Sequence, residues 1–333
     1  ADPDNGDFHI LYTDTGAKGY GANLSNDPNL AFSDDIDGQT RSGAWDIGAD
    51  QYQATPIYRS VGPDNTSPLA SSTGQTLTIN NDTATFSEGL PDNIGVGDVI
   101  VYNSSGTTTQ NTLAFIHQRI SPTQYIVKDK NGKTPLSTSN STNWQIYRAY
   151  TSLYNAERGN ENDGLPDNLE NFDDWTPGGG KDDDEVGKNL ASSTEQWNIA
   201  CYGDATDTAG VTIDGWTTTE SNYIKIYTPY LPSEVGVSQR HSGKWDSAKY
   251  IIIDQGSGWW PVISIREEFV RIDGLQIKRV DASDDYPSIV SIYFSNPNSD
   301  VWISNNIMVA DYSQKTGNDG TGIGSPSTFH NKS

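Results

Sequence analysis

Phe269–Lys278 reads FVRIDGLQIK, and the fold turns on how that stretch is read. Val270 and Ile272 flank Arg271, so alternate side chains share one face, as on a half-buried strand, and Asp273-Gly274 supplies a corner. Just before it, Ile263-Ser264-Ile265 shows the same alternation. The phrase itself recurs: Val211–Gly215 reads VTIDG and Val301–Asn305 reads VWISN. Starts at 211, 270 and 301 are unevenly spaced, which suits stacked turns of a solenoid with variable loops better than a strict repeat. Ordinary antiparallel strands ending in tight turns would give the same local pattern, so both readings stand at this point.

Around these phrases the chain is polar and acidic. Its 333 residues amount to 36.3 kDa, room for one large all-β domain or several ordinary ones. Mean hydropathy is −0.64, and no run approaches the roughly 20 apolar residues of a membrane helix, so membrane insertion is not expected. Asp and Glu number 44 against 21 Lys and Arg, and a net charge of −23 repels phosphate backbones and argues against nucleic acid as a partner. Cations, glycans and other proteins stay in play. The 9 Trp, 17 Tyr and 8 Phe argue for a packed core over disorder, with the many Gly, Pro, Asn and Asp as turn punctuation. Cys201 is the single cysteine; no internal disulfide is available, and its apolar neighbours point to an inert buried thiol. An Ala1-Asp2-Pro3 start and one methionine, Met308, are expected of a processed protein or a fragment.

Texture divides the chain at two places. Residues 1–54 are rich in Asp, Asn and Gly and contain Ser42–Tyr52 (SGAWDIGADQY). Residues 55–149 carry strand signals at Leu77–Asn80, Thr83–Ser87, Asp98–Tyr102, Leu113–His117, Gln124–Lys128 and Trp144–Arg148, which predict a small antiparallel barrel or sandwich. Residues 150–333 begin with a helix signal over Tyr150–Arg158, capped by Ser152 with Leu153, Ala156 and Tyr154 facing inward. A polar, acidic stretch over 159–193 reads as a loop insertion, after which strands return.

Several of these phrases occur in a telling order. Tyr150–Arg158, Trp197–Tyr202, VTIDGWTT with Tyr223–Ile226, Gln239–Gly243 (QRHSG) and FVRIDGLQIK together resemble the opening coils of secreted bacterial right-handed parallel β-helix proteins, surface proteins of pectate-lyase-like fold. The resemblance covers about 150–310 and implies a helix capping the first coil. It implies fold more than activity, because polysaccharide-active enzymes and adhesins share that architecture. Residues 20–52 resemble the segment that normally closes such domains at their other end. An uncovered last coil presents open strand edges. If one molecule's N-terminal segment covers the last coil of the next, the contact repeats head to tail. A window cut from a longer protein, or a segment folding back on its own chain, would give the same order. For assembly the residues singled out are Trp45, Asp46, Ile47 and Tyr52.

Catalytic pairs do not stand out among so many carboxylates. Asp214 and Asp273 could lie one above the other on a solenoid face, although a residue before Gly more often makes a corner. Lys225, Arg240, His241 and Lys244 form the most basic neighbourhood and suit an acidic sugar; Trp259, Trp260 and Trp216 suit sugar stacking, against the plainer roles of paired turn charges and core aromatics. In Asn160–Glu170, Glu161, Asp163, Asp167 and Glu170 echo a calcium loop of oxygen ligands about Gly164, with Gly159 standing where the first ligand belongs. The expectation is a secreted, extracellular all-β protein: a small antiparallel β domain followed by a right-handed parallel β-helix, acting as the subunit of a homo-oligomeric filament or surface layer. A carbohydrate-active module, whether a polysaccharide lyase, a glycoside hydrolase or a glycan binder, is the alternative, with calcium the one cofactor considered.

Overall fold

A computed structural model describes residues 10, 14–36, 40–41, 43–106, 108–173, 187–254, 261–280, 288–293, 299–311 and 321–324. Among the described residues strand accounts for 39% and helix for 4%, so the all-β expectation holds. Two compact units divide it: Ala1–Thr55 with Ala191–Glu195, and Pro56–Leu190 with Gln196–Ser333.

Side-chain bonds to backbone hold the first unit together. Asp46, buried, accepts the N–H groups of Gly19 and Tyr52 at 2.6 and 2.7 Å. Arg41 donates to the carbonyls of Asp46 and Gly48 at 3.2 and 2.8 Å and lies over the rings of Phe32 and Trp45. A sequence this poor in apolar alternation cannot make a sheet face, so polar turns close around one small aromatic cluster.

β1 (Thr55–Val61) leads the chain into the second unit at Pro56. Eight strands follow: β2 (Ala70–Ser71), β3 (Leu77–Asn80), β4 (Thr83–Phe86), β5 (Val99–Tyr102), β6 (Thr112–Ser121), β7 (Gln124–Lys128), β8 (Thr138–Ser141) and β9 (Trp144–Tyr147). They form one antiparallel sheet in the order β2-β9-β5-β6-β7-β4-β3-β8. The six strands legible in sequence are all present. β5, VIVY, is buried along its whole length because its faces serve two cores. Ile100 and Tyr102 join Leu77, Phe86 and Trp144, whereas Val99 and Val101 join the core of the remaining strands.

Helix α1 (Leu153–Arg158) comes next, with Ser152 accepting the Asn155 N–H at 3.0 Å as its cap and Gly159 ending it at φ 64°. Leu153 and Ala156 face the core as expected, but Tyr154 turns outward, 38% exposed, beneath the Arg158 guanidinium. After α2 (Leu190–Ser193) come β10 (Glu195–Cys201), β11 (Thr206–Asp207), β12 (Val211–Ile213), β13 (Ile224–Tyr227), β14 (Ile251–Asp254), β15 (Ile263–Ile265), β16 (Phe269–Asp273), β17 (Gln276–Val280), β18 (Ser288–Ile292), β19 (Asp300–Ser304), β20 (Ile307–Asp311) and β21 (Thr321–Gly324). They enter three parallel sheets: β10-β13-β16-β19, with β1 on its edge; β11-β14-β17-β20; and β12-β15-β18-β21. β1, which precedes the antiparallel strands in the chain, thus belongs with the parallel ones.

Register stacks like on like. Trp197, Ile224, Val270 and Val301 lie in one row, and Ile199, Ile226, Ile272 and Ile303 in the next. In the third sheet Val211, Ile263 and Val290 align. These rows line one continuous core with Ile57, Val61 and Phe115.

The recurring phrase is not one repeat. VRIDG and VWISN are neighbours in the first sheet, β16 beside β19, while VTIDG is β12 in the third. What they share is a corner in the left-handed region: Gly215 at φ 79°, Gly274 at 84° and Asn305 at 53°. Asn serves the third because its side chain tolerates that conformation.

Residues 160–173 are not a free acidic insertion. Leu165, Leu169 and Phe172 are buried in the main core. Asn162 is fully buried; its amide donates to the carbonyls of Asn65 and Arg148 and its oxygen accepts the Gly164 N–H, each at 2.9 Å. Gly164 lies so close to the Thr66 carbonyl that a Cβ would collide with it.

Candidate functional site

On the first parallel sheet the residues between the buried Ile and Val positions point away from that core, although Asn198, Ala200 and Tyr227 are themselves buried, the last two in a second apolar cluster with Val96, Tyr202 and Val235. Register sets Asn198, Lys225, Arg271 and Trp302 in one row, and Ala200, Tyr227, Asp273 and Ser304 in another. Arg271 lies 3.5 Å from the ring centre of Tyr223 and 4.3 Å from that of Trp302. Lys225 sits 4.1 Å over Tyr227, and burial lowers its pKa. Among the described residues neither cation makes an ion pair; aromatic rings hold both. Trp302 is 54% exposed, with its indole N–H donating to Asp300 at 2.6 Å.

Arg240 approaches the same face from the loop after β13. It pairs with Asp273 and stacks 4.0 Å over Tyr230. Burial works against the Asp273 charge, but hydrogen bonds from Asn305, Ser304 and Arg240 hold its pKa below the ordinary value. The face therefore offers cations with stacking surfaces, on a molecule that is otherwise strongly acidic. Guanidinium edges beside an open indole can pair with a carboxylate or sulfate while a sugar ring lies on the aromatic face.

Of the basic residues marked in sequence, Lys225 and Arg240 come to this face. His241 turns into its own loop, its Nδ1 accepting the Gly243 N–H at 3.1 Å, and Lys244 is exposed on that loop. Arg271 and Trp302 went unmarked. Their signal was present, since each is the second residue of a recurring phrase, between two core positions and facing away from the core. Trp216 offers no open ring: it is 6% exposed and stacks on Trp197 at 5.7 Å. Trp259 and Trp260 lie outside the described residues.

Asp214 and Asp273 do not stack, because their strands belong to different sheets; Asp214 pairs with Arg266 at 2.9 Å. Residues of the calcium-like loop do not converge. Glu161 accepts the Asp173 N–H at 2.9 Å, while Asp163 and Asp167 are exposed and Glu170 half-buried. Among the described residues no group of three or more His, Cys, Asp or Glu side chains is arranged to hold a metal ion. Burial pushes the Cys201 thiol well up in pKa, which removes it as a nucleophile. In the first unit Trp45, Asp46 and Tyr52 are buried and Ile47 is 54% exposed. Comparisons with protein-family models, with curated proteins and with solved structures each found no match, so the residues themselves carry the reading.

Proposed function

We propose that the strands from β10 onward form a right-handed parallel β-helix, and that the protein is a secreted, extracellular structural protein, the subunit of a head-to-tail filament or surface layer. Support for the coil is the order of strand use. β10, β11 and β12 enter three different sheets, and each later set of three adds one strand to each sheet in the same order. Right-handedness follows from the strong preference of parallel crossovers for that hand.

One observation carries the assembly reading: the last layer is only partly covered. Val270, Ile272 and Ile277 are fully buried, whereas Val301, Ile303 and Met308, in register over them, are half-exposed. Among the described residues β19, β20 and β21 have no strand on their outer side. Unpaired N–H and C=O groups beside half-covered aliphatic side chains are a template for another chain. The occupant in this reading is the Ala1–Thr55 body of a second copy. Together with Ala191–Glu195 that segment makes up one compact unit, and residues 20–52 resemble a β-helix closing segment. Electron microscopy of the purified protein, with mass photometry, tests it. Ordered filaments that vanish on deletion of residues 1–52 are expected; dispersed monomers of the intact chain, or assembly undiminished by the deletion, overturn it.

The cationic face favours a second reading, a module that binds acidic polysaccharide. Among the described residues Lys225 and Arg271 stack on rings and make no ion pair, beside the exposed Trp302. Arg271→Ala is expected to weaken binding to polygalacturonate or alginate about tenfold or more, the worth of one charge-assisted hydrogen bond, as read by calorimetry. Equal binding by the variant sinks this reading and leaves assembly untouched.

A further inference from the structure

Charge is shared unevenly along the chain. Residues 1–55 hold ten Asp and no Glu against Lys18 and Arg41, a net −8, while the other 278 residues carry −15. Asp46 and Asp50 are buried, but Asp14 and Asp34 are exposed. Asp34 stands in the chain between Phe32 and Ile36, which are 38% and 50% exposed, and its Oδ1 accepts the hydroxyls of Ser33 and Thr40 at 3.3 and 3.4 Å. The Ile36 N–H donates to the Ala49 carbonyl at 2.8 Å, two residues on from Ile47, itself exposed. This segment therefore carries open carboxylates among bare aromatic and aliphatic side chains.

The last layer of the parallel strands offers the complement. Trp302 lies on the outer face of β19, between the half-exposed Val301 and Ile303. Arg271 is its neighbour one strand back, held between the Tyr223 and Trp302 rings, and Lys225 is one strand further. Glu234 and Asp273 attract Lys225, whereas Arg240 and Arg271 repel it. Asp273 is paired with Arg240, and Glu234 Oε2 accepts the backbone N–H groups of Tyr230 and Leu231 at 2.9 and 3.0 Å. Among the described residues neither Lys225 nor Arg271 makes an ion pair of its own. Two such cations thus border a half-covered aliphatic edge.

We infer that the cationic face is the flank of the assembly contact: the Ala1–Thr55 segment of one copy, through Asp34 and the apolar Phe32, Ile36 and Ile47, seats on Trp302, Arg271 and Lys225 of the next copy as it covers that copy's last layer. The inference rests on the assembly reading above and names which surfaces meet. Opposite local charge supplies an attraction that two acidic copies otherwise lack, and it disfavours every docking that sets acid against acid. Pairs enclosed in the contact are screened much less than the long-range repulsion between copies, so salt weakens the repulsion first. Arg271 suits the role, because a planar guanidinium already stacked between rings loses little freedom when it takes a carboxylate.

Charge reversal in the full chain tests it. Arg271→Glu sets acid against acid at the contact, and Asp34→Lys sets cation against cation. Each variant alone is expected to need about tenfold more protein, or beyond, for half-assembly by mass photometry and light scattering. A 1:1 mixture of the two, in which each altered surface finds its opposite, is expected to recover most of the wild-type assembly. If either variant loses the wild-type circular dichroism, wild-type assemblies grown from light- and heavy-nitrogen copies decide instead. Carbodiimide treatment is expected to join Lys225 to an aspartate of residues 1–55 in mixed-isotope peptides, and absence of that product overturns the inference. Folded variants that assemble as wild type, or a mixture no better than its parts, overturn it while leaving the assembly reading in place. An Arg271→Glu chain that assembles normally but no longer binds polygalacturonate overturns it in favour of the glycan. Dispersed monomers of the wild-type chain overturn both the inference and the reading beneath it.

Discussion

At the scale of single residues, the most consequential side chain is Arg148. It is wholly buried, donates to both oxygens of the equally buried Asp98 at 2.8 and 2.9 Å, and reaches Asp204 at 2.9 and 3.0 Å. Its guanidinium also lies 3.6 Å over the Tyr202 ring. Asp98 precedes β5 of the antiparallel sheet and Asp204 follows β10 of the parallel one, so a single cation joins the two. Arg148→Met strands a buried carboxylate, and a loss of about 3–5 kcal/mol in denaturant unfolding is expected. Nothing in the strand signal Trp144–Arg148 marks that arginine, because its partners lie 50 and 56 positions away. Trp216 shows the converse. As a lone aromatic after a corner it suits sugar stacking, and only the neighbouring Trp197 and Glu157 make it a core residue.

At the scale of elements, corners explain which phrases recur. Gly274 stands at φ 84°, and a Cβ there would meet the Arg240 guanidinium and the Thr228 hydroxyl. Gly274→Ala therefore combines left-handed strain of about 1–2 kcal/mol with displacement of Arg240 from Asp273. A lowered melting temperature and weakened acidic-glycan binding are expected together. Asn305→Gly, at the corner after β19, relieves φ 53° but removes the amide that donates to Asp273 at 2.6 Å, so the two effects oppose and it is expected to melt within about two degrees of wild type. Strands and corners were legible because each depends on a few adjacent residues. The 160–173 strap was not, since acidic residues dominate its composition while Asn162, Leu165 and Phe172 decide its placement.

At the scale of the whole molecule, charge separates the two functional readings. A subunit of net charge −23 meets its own copy against mutual repulsion, so raising salt from about 10 to 150 mM shortens the screening length from about 30 to 8 Å and is expected to promote assembly. Binding of an acidic polysaccharide to Lys225, Arg240 and Arg271 is expected to weaken over the same range. Ile303→Asp, at the half-covered edge of β19, is expected to block filaments while leaving the circular dichroism of the monomer intact.

The sequence by itself determined the β class, the six antiparallel strands, the capped helix and the strand-plus-corner phrases, because propensity, period-two alternation and turn chemistry act over a few neighbouring residues. Tertiary structure alone decided which strands lie side by side. VRIDG pairs with VWISN and not with VTIDG, β1 joins strands that follow it by some 140 residues, and Lys225, Arg271 and Trp302 fall into one outward row. Register across a sheet is set by packing among residues far apart in the chain, and the cationic face is a product of that register.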